Sequence, residues 1–261
     1  MPSDAQVLPA DRPGSFVLRM SGMDQSYVDL EDPTRLVFEY VRRLGDVVDA
    51  VAPAGEPLRV VHVGGAGLTL PRYVAATRPR SAQVVLEPAE DVTELVRRDL
   101  PLPRQSGIKV RPADGRTGLA ALRDDSADLV VVDAFADARV PASLATTEAY
   151  AELARVVGGA GVVALNLTDR APFAWARRAV AAVRTSFPHL LLTAEPATLR
   201  ARRAGNLVVV ATAGALPLDA LRQRATTAGS PYRVLDAAAV SDSFGGGLPF
   251  TDADAEPSPR P

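Results

Sequence analysis

Four short stretches of this chain carry residues that can do chemistry together. Val63-Gly64-Gly65-Ala66-Gly67 follows an apolar, β-branched run and precedes a stretch of helical character. Small residues at such a junction let the backbone turn tightly and approach a ligand, whose polar groups meet the free N–H groups of the helix start. About 20 residues beyond the glycines, Val84-Val85-Leu86 ends in Glu87, where a Rossmann-like fold sets an acid on ribose hydroxyls. Asp114-Gly115 and Asp133 end two further runs. Singly, each aspartate reads equally well as a turn former or helix N-cap, and the glycines as a tight strand-to-helix turn. Jointly, Gly64, Gly65, Gly67, Glu87, Asp114, Gly115 and Asp133 favour a nucleoside site, because ligands of open α/β sheets bind at the carboxyl edge of the strands.

The elements that must position them alternate. β-Branched runs at 58–63, 82–86, 108–111, 128–132 and 160–165 are each followed by helical character, near 68–77, 89–99, 116–123, 146–157 and 171–185. Strands alternating with helices imply parallel βαβ units covered on both faces. Leu129-Val130-Val131-Val132 has the continuous apolar character of a strand buried on both sides. Runs 189–193 and 207–212 suit an antiparallel closing hairpin. The expected fold class is thus α/β, a doubly wound, mostly parallel seven-stranded sheet with a small N-terminal β-hairpin. That hairpin is expected between Phe16 and Val28 around Ser21-Gly22, followed by a helix capped by Asp32-Pro33 and ended by Pro53. The units read as a disordered N-terminus over 1–14, hairpin plus helix over 15–53, a Rossmann-like domain over 54–215, and a C-terminal helix with a flexible tail over 216–261.

With 261 residues, 47% hydrophobic and 23% charged, the chain has ordinary globular composition. Its net charge of -2 carries no nucleic-acid footprint. The absence of cysteine removes disulfides, thiolate metal sites and cysteine nucleophiles. No apolar run approaches the ~18 residues that span a bilayer, and the first residues lack the pattern of a secretory signal. The expectation is a cytoplasmic protein with a small-molecule partner, no nucleic acid, no membrane and no metal; a homodimer is compatible with it.

Residues 58–167 resemble the catalytic domain of the spermidine and spermine synthases, the aminopropyltransferase family within the class I S-adenosylmethionine-dependent methyltransferase fold. The matching elements are Gly64-Gly65-Ala66-Gly67, Glu87, Asp114-Gly115, Asp133 with its following loop, and Leu144-Ala145-Thr146-Thr147-Glu148-Ala149-Tyr150. The last stretch is similar to the family's Leu-Phe-Thr-Glu-Glu-Phe-Tyr helix start. The resemblance implies decarboxylated S-adenosylmethionine, or S-adenosylmethionine, as co-substrate and an amine or other small acceptor. It implies Glu87 on the ribose, Asp114 on the adenine amino group and Asp133 as the base or charge anchor for the attacking amine. It also draws Gln25, Tyr27 and Asp137 towards the acceptor, and the position of Asn166 after the fifth strand, at the same sheet edge, is compatible with lining that pocket. An alkyl amine is mostly protonated at neutral pH, so an adjacent carboxylate suits both holding it and taking its proton.

The chain departs from the family pattern at three places, one of them the Tyr-His-Glu group that follows the family's N-terminal hairpin, where Phe38-Glu39-Tyr40 stands instead. The family's Gly-Gly-Gly-Asp-Gly loop has lost its acid here, with Ala66 and Gly67 in that neighbourhood. Its Asp-Ser-Thr-Asp-Pro after the fourth strand is replaced by Asp133-Ala134-Phe135-Ala136-Asp137, and Arg139 sits in the same loop. Aminopropyl transfer, methyl transfer from intact S-adenosylmethionine, and a catalytically silent nucleoside- or partner-binding role all remain open at this point.

Overall fold

The computed structural model describes residues 4–260. A three-stranded antiparallel sheet comes first, from β1 (Gln6–Pro9), β2 (Ser15–Met20) and β3 (Met23–Asp29). The helix α1 (Glu39–Ala50) leads into β4 (Arg59–Val63), α2 (Thr69–Thr77), β5 (Ala82–Leu86), α3 (Glu90–Asp99), β6 (Ile108–Arg111), α4 (Gly115–Ala120) and β7 (Leu129–Val132). A short 3-10 turn, Ala142–Leu144, precedes α5 (Thr147–Val157), β8 (Val162–Asp169), α6 (Ala174–Val183), β9 (His189–Ala194), α7 (Pro196–Leu199) and β10 (Gly205–Thr212). The chain ends with α8 (Leu218–Thr227), β11 (Arg233–Leu235) and α9 (Ala237–Phe244).

The main sheet has eight strands in the order β11-β9-β10-β8-β7-β4-β5-β6. The strands from β8 to β6 are parallel, while β10 runs antiparallel between β8 and β9. The expected pair at 189–193 and 207–212 does form, with β10 inserted beside β8. The eighth strand is the difference from expectation: three residues of β11 add to the edge of β9, with Val234 opposite Thr193. A run that short gives no periodicity to read.

Successive strand residues divide between two cores, as a period of two requires. Val61, Val63, Val130, Val132, Val163 and Leu165 face α5, α6 and α9. Val60, Leu129, Val131, Val162 and Ala164 face α1, α2 and α8. On α1, Val41, Leu44 and Val48 form the buried stripe at helical spacing. Each such fully buried Val or Leu contributes about 1.5–3 kcal/mol relative to exposure. A third cluster, with Leu18, Val28, Leu68, Val85, Val92 and Val96, fastens the N-terminal sheet to α3 and the glycine loop.

Three sequence expectations need correction. The expected frayed N-terminus contains β1, which pairs with β2 from Gln6 opposite Arg19 to Pro9 opposite Phe16; residues 1–3 of that segment lie outside the described residues. Asp32 does not open a helix. Its carboxylate accepts from the Thr34 N–H at 3.1 Å and the Thr34 hydroxyl at 2.5 Å, a local turn that competes with helix, and α1 starts only at Glu39. The proline-rich tail is docked rather than flexible. Ser258 exchanges hydrogen bonds with the Val140 backbone, Trp175 Nε1 donates to the Glu256 carbonyl at 2.8 Å, and Phe250 is fully buried against Trp175. Prolines remove donors but leave carbonyls, which suits a segment that is held by accepting.

Gly64 is the backbone position on which the site depends most. Its φ is +87°, and a Cβ there would lie 2.4 Å from the Asp133 carbonyl oxygen. Gly55 has a similar φ of +78° with nothing within 4 Å of the same point. Gly64→Ala is therefore expected to cost about 2–4 kcal/mol and Gly55→Ala about 1 kcal/mol in urea unfolding. Equal losses would show that the close approach to Asp133 is unimportant.

Candidate active site

Parallel register brings the strand ends together. Val63 pairs with Leu86 on one side and Val132 on the other, and Leu86 pairs with Arg111. The residues that follow, Gly64, Glu87 and Asp133, must then emerge side by side at the carboxyl edge, where β4 has neighbours on both sides. They line one cavity of about 250 Å³, together with Gly65, Asp114 and Gly115.

The glycine loop does not offer the free donors expected of it. Glu87 Oε2 accepts from the N–H groups of Gly65 at 3.0 Å and Ala66 at 3.1 Å, and its Oε1 accepts from Ala89 N–H at 3.0 Å. Gly64 N–H donates to the Leu86 carbonyl, and Gly67 N–H to Ser26 Oγ at 3.0 Å. Each of these N–H groups already has a protein acceptor, so the loop is not a phosphate cradle. Ala66 sits at φ +38°, a left-handed conformation uncommon for a residue with a side chain. Gly67 packs so closely on β3 that a Cβ would meet Ser26 Cβ at 2.7 Å, which closes the N-terminal sheet over the loop.

Asp114 caps α4. Its Oδ1 accepts from Arg116 N–H at 2.9 Å and Thr117 N–H at 3.1 Å, and its Oδ2 from the Thr117 hydroxyl. The Thr117 hydroxyl first, then the backbone bonds, hold its carboxyl below the usual range. It nevertheless lines the cleft, as Gly115 does against Val63 and Leu144.

Asp133 has a different environment. Burial pushes its carboxyl up to about 6, against the opposing effect of Asn166 Nδ2, which donates to Oδ1 at 2.8 Å. Asn166 is itself oriented: Asn206 Nδ2 donates to Asn166 Oδ1 at 3.0 Å, and the buried Arg43 donates to the Asn206 carbonyl at 3.2 Å. Asn206 lies opposite Thr168 in the antiparallel β8–β10 pair, hence diagonal to Asn166. Tyr40 lies near enough for the Asp133 charge to add to burial in raising its phenol well above the usual range. His62 is 2% exposed and bonded through Nε2 to Gln83 Oε1 at 2.9 Å, and burial lowers it to about 4.

Of the expected acceptor residues, Gln25 lines the cleft. Tyr27 does not: its hydroxyl donates to Asp11 at 2.6 Å and accepts from Arg35, inside the N-terminal sheet. Asn166 stands behind Asp133 and reaches the cavity only through it. Asp137 is exposed on the loop after β7, in a left-handed turn closed by the Ala136–Arg139 bridge. Arg139 points to the tail instead of the cleft, donating to the carbonyls of Ser258 and of Pro257 at 2.9 Å. Asp169 caps α6 through Arg170 N–H and Ala176 N–H. The cleft also contains Phe38, Tyr40, Leu70, Pro71 and His62. Among the described residues, no Lys or Arg lines it. A second cavity of about 380 Å³ lies on the far side of α1, where Asp46, Asp49, Tyr73, Tyr232 and Arg224 pair with one another.

No protein-family model matches the chain, and no curated protein sequence does. Solved structures do match. A probable spermidine synthase from Corynebacterium glutamicum superposes with a TM-score of 0.87 at 24% identity, over 96% of this chain and 93% of that one. The chain has the fold shared by spermidine synthases and class I methyltransferases. The spermidine synthase of Thermotoga maritima matches at 0.56 and 17% identity, over 90% and 79% of the two chains. Human methyltransferase-like protein 13, solved with SAH, matches at 0.58 and 17%, over 83% and 96%. In this fold β10 is the antiparallel insertion beside β8, and the cleft described above lies at the carboxyl edge of the strands.

Asp133 carries a stability consequence. Its folded-state value of about 6 exceeds the ~3.9 of an unfolded aspartate, so the native state binds the extra proton between those values. Its contribution is fully present below about pH 4 and is lost as the pH rises through 6. At pH 7.5, Asp133→Asn is expected to stabilise the protein by on the order of 2 kcal/mol, and at pH 4 by little. A loss of stability at pH 7.5 would contradict a desolvated, unpaired carboxylate.

Proposed function

We propose that this chain transfers an aminopropyl group from decarboxylated S-adenosylmethionine to an amine acceptor. The observation that carries the reading is charge: the cleft is lined by Glu87, Asp114 and Asp133 and, among the described residues, by no cationic side chain. Such a lining suits a sulfonium and an ammonium and disfavours carboxylates or phosphates. The occupied loop donors point the same way.

Glu87 Oε2 is filled by the Gly65 and Ala66 N–H groups, but Oε1 accepts only from Ala89 and would take a ribose hydroxyl on its remaining lone pair; Asp114 would accept from the adenine amino group on Oδ2. Leu86, Pro88, Val92 and Leu144 supply apolar wall at that end. Asp133 would hold the acceptor ammonium and take its proton. The neutral amine then attacks the methylene carbon beside sulfur, the C–N bond forms, and the C–S bond breaks with its pair going to sulfur. Methylthioadenosine leaves uncharged. Asn166, fixed by Asn206, keeps its N–H on Oδ1 and leaves Oδ2 free for that proton.

Ala66 in the glycine loop favours one rival reading, methyl transfer from intact S-adenosylmethionine, because it offers no loop carboxylate to an aminopropyl ammonium. The products distinguish the two. The proposal expects methylthioadenosine release with decarboxylated co-substrate and an amine, and a fall of roughly 10²–10⁴ in Asp133→Asn. Release of S-adenosylhomocysteine from the intact co-substrate instead, or full activity in Asp133→Asn, would overturn it.

A further inference from the structure

Besides Asp133, Glu87 and Asp114, the cleft is lined by uncharged groups, among them Phe38, Tyr40, Leu70, Pro71, His62 and the amide of Gln25, and Tyr40 lies close enough to feel the Asp133 charge. None is charged near neutral pH: the Tyr40 phenol stays protonated, and burial keeps the His62 ring neutral. The other two carboxylates of the cleft follow different strands and are already engaged. Glu87 follows β5 and Asp114 follows β6, on the opposite side of β4 from β7, and both accept backbone N–H bonds. Asp133 is therefore the one carboxylate on the acceptor side among the described residues, with one oxygen given to Asn166.

Resting on the aminopropyl-transfer reading, we infer that the acceptor is a primary monoamine with an apolar body, and that α,ω-diamines are selected against. The alkyl part of a monoamine buries apolar surface against Phe38, Leu70 and Pro71, a gain proportional to its area. The far ammonium of a diamine would enter the same walls without a counter-charge, and an isolated buried charge is costly. The rings of Phe38 and Tyr40 offer it cation–π contact, a smaller effect than the lost hydration. The donor's own ammonium, already in the cleft, repels a second one.

The test uses the full chain with decarboxylated S-adenosylmethionine and two matched pairs: n-butylamine with 1,4-diaminobutane, and n-hexylamine with 1,6-diaminohexane. The monoamine of each pair should show a kcat/KM of methylthioadenosine release about 100-fold above the diamine. Diamines turned over as well or better would overturn the inference and leave the transfer reading standing. Phe38→Glu should narrow the preference at least roughly tenfold by supplying the missing counter-charge; an unchanged ratio in a folded variant would contradict it. Calorimetry of the same amines on wild-type protein holding methylthioadenosine reads the preference without turnover. Tighter monoamine binding with no transfer would uphold the acceptor class and remove the reaction, whereas tighter diamine binding, or no amine binding, would overturn the class.

Discussion

A half-buried, largely desolvated carboxylate on the cleft wall, with no cation beside it, is the constraint around which this molecule is arranged. Asp133 directly follows β7, whose four residues are all buried, so the sheet fixes its backbone position and its side chain lines the cleft. Gly64 lets the neighbouring strand turn directly over it, and the Asn206–Asn166 pair gives it a single hydrogen-bond donor rather than a salt bridge. A cation in place of the Asn166 amide would hold the Asp133 carboxyl low and weaken it as a proton acceptor near neutral pH. The two-sided core offsets what the charge costs.

The glycine loop shows how one fold comes to prefer one class of ligand. In dinucleotide sites the loop N–H groups and helix start meet a pyrophosphate. Here Glu87 and Ser26 take those donors, which stiffens the loop, locks the N-terminal sheet onto it and removes its attraction for anions. The other Glu87 oxygen, Oε1, accepts only from Ala89 and remains able to take a hydroxyl group. Anchoring and ligand recognition are then two uses of one carboxylate, and the fold alone would not have distinguished this from a phosphate site.

The positions that parallel register controls were legible in the sequence. Gly64, Glu87, Asp114 and Asp133 each follow a β-branched run, and the βαβ alternation is enough to bring them to one edge. Side-chain direction in the small sheet was not legible: Gln25 and Tyr27 lie on the same strand, two residues apart, yet only Gln25 lines the cleft, because a bulge between Leu18 and Arg19 shifts the register of β2 against β3. The acceptor wall was hidden for another reason. Tyr40 carries the apolar signal of a helix face, and Phe38 stands at the N-cap of the same helix, yet both line the cavity. The tail was misread because composition reports what a segment cannot bury, not the carbonyls it can present to Arg139 and Trp175.

The central claim is that a cleft with carboxylates, filled loop donors and no cation takes a cationic nucleoside. Calorimetric titration of the wild-type chain with decarboxylated and with intact S-adenosylmethionine tests it most directly, since the two differ only in a carboxylate that would find no partner. The account predicts that the decarboxylated form binds at least roughly tenfold more tightly, about 1.4 kcal/mol or more. Equal affinity, or tighter binding of the intact form, would contradict it.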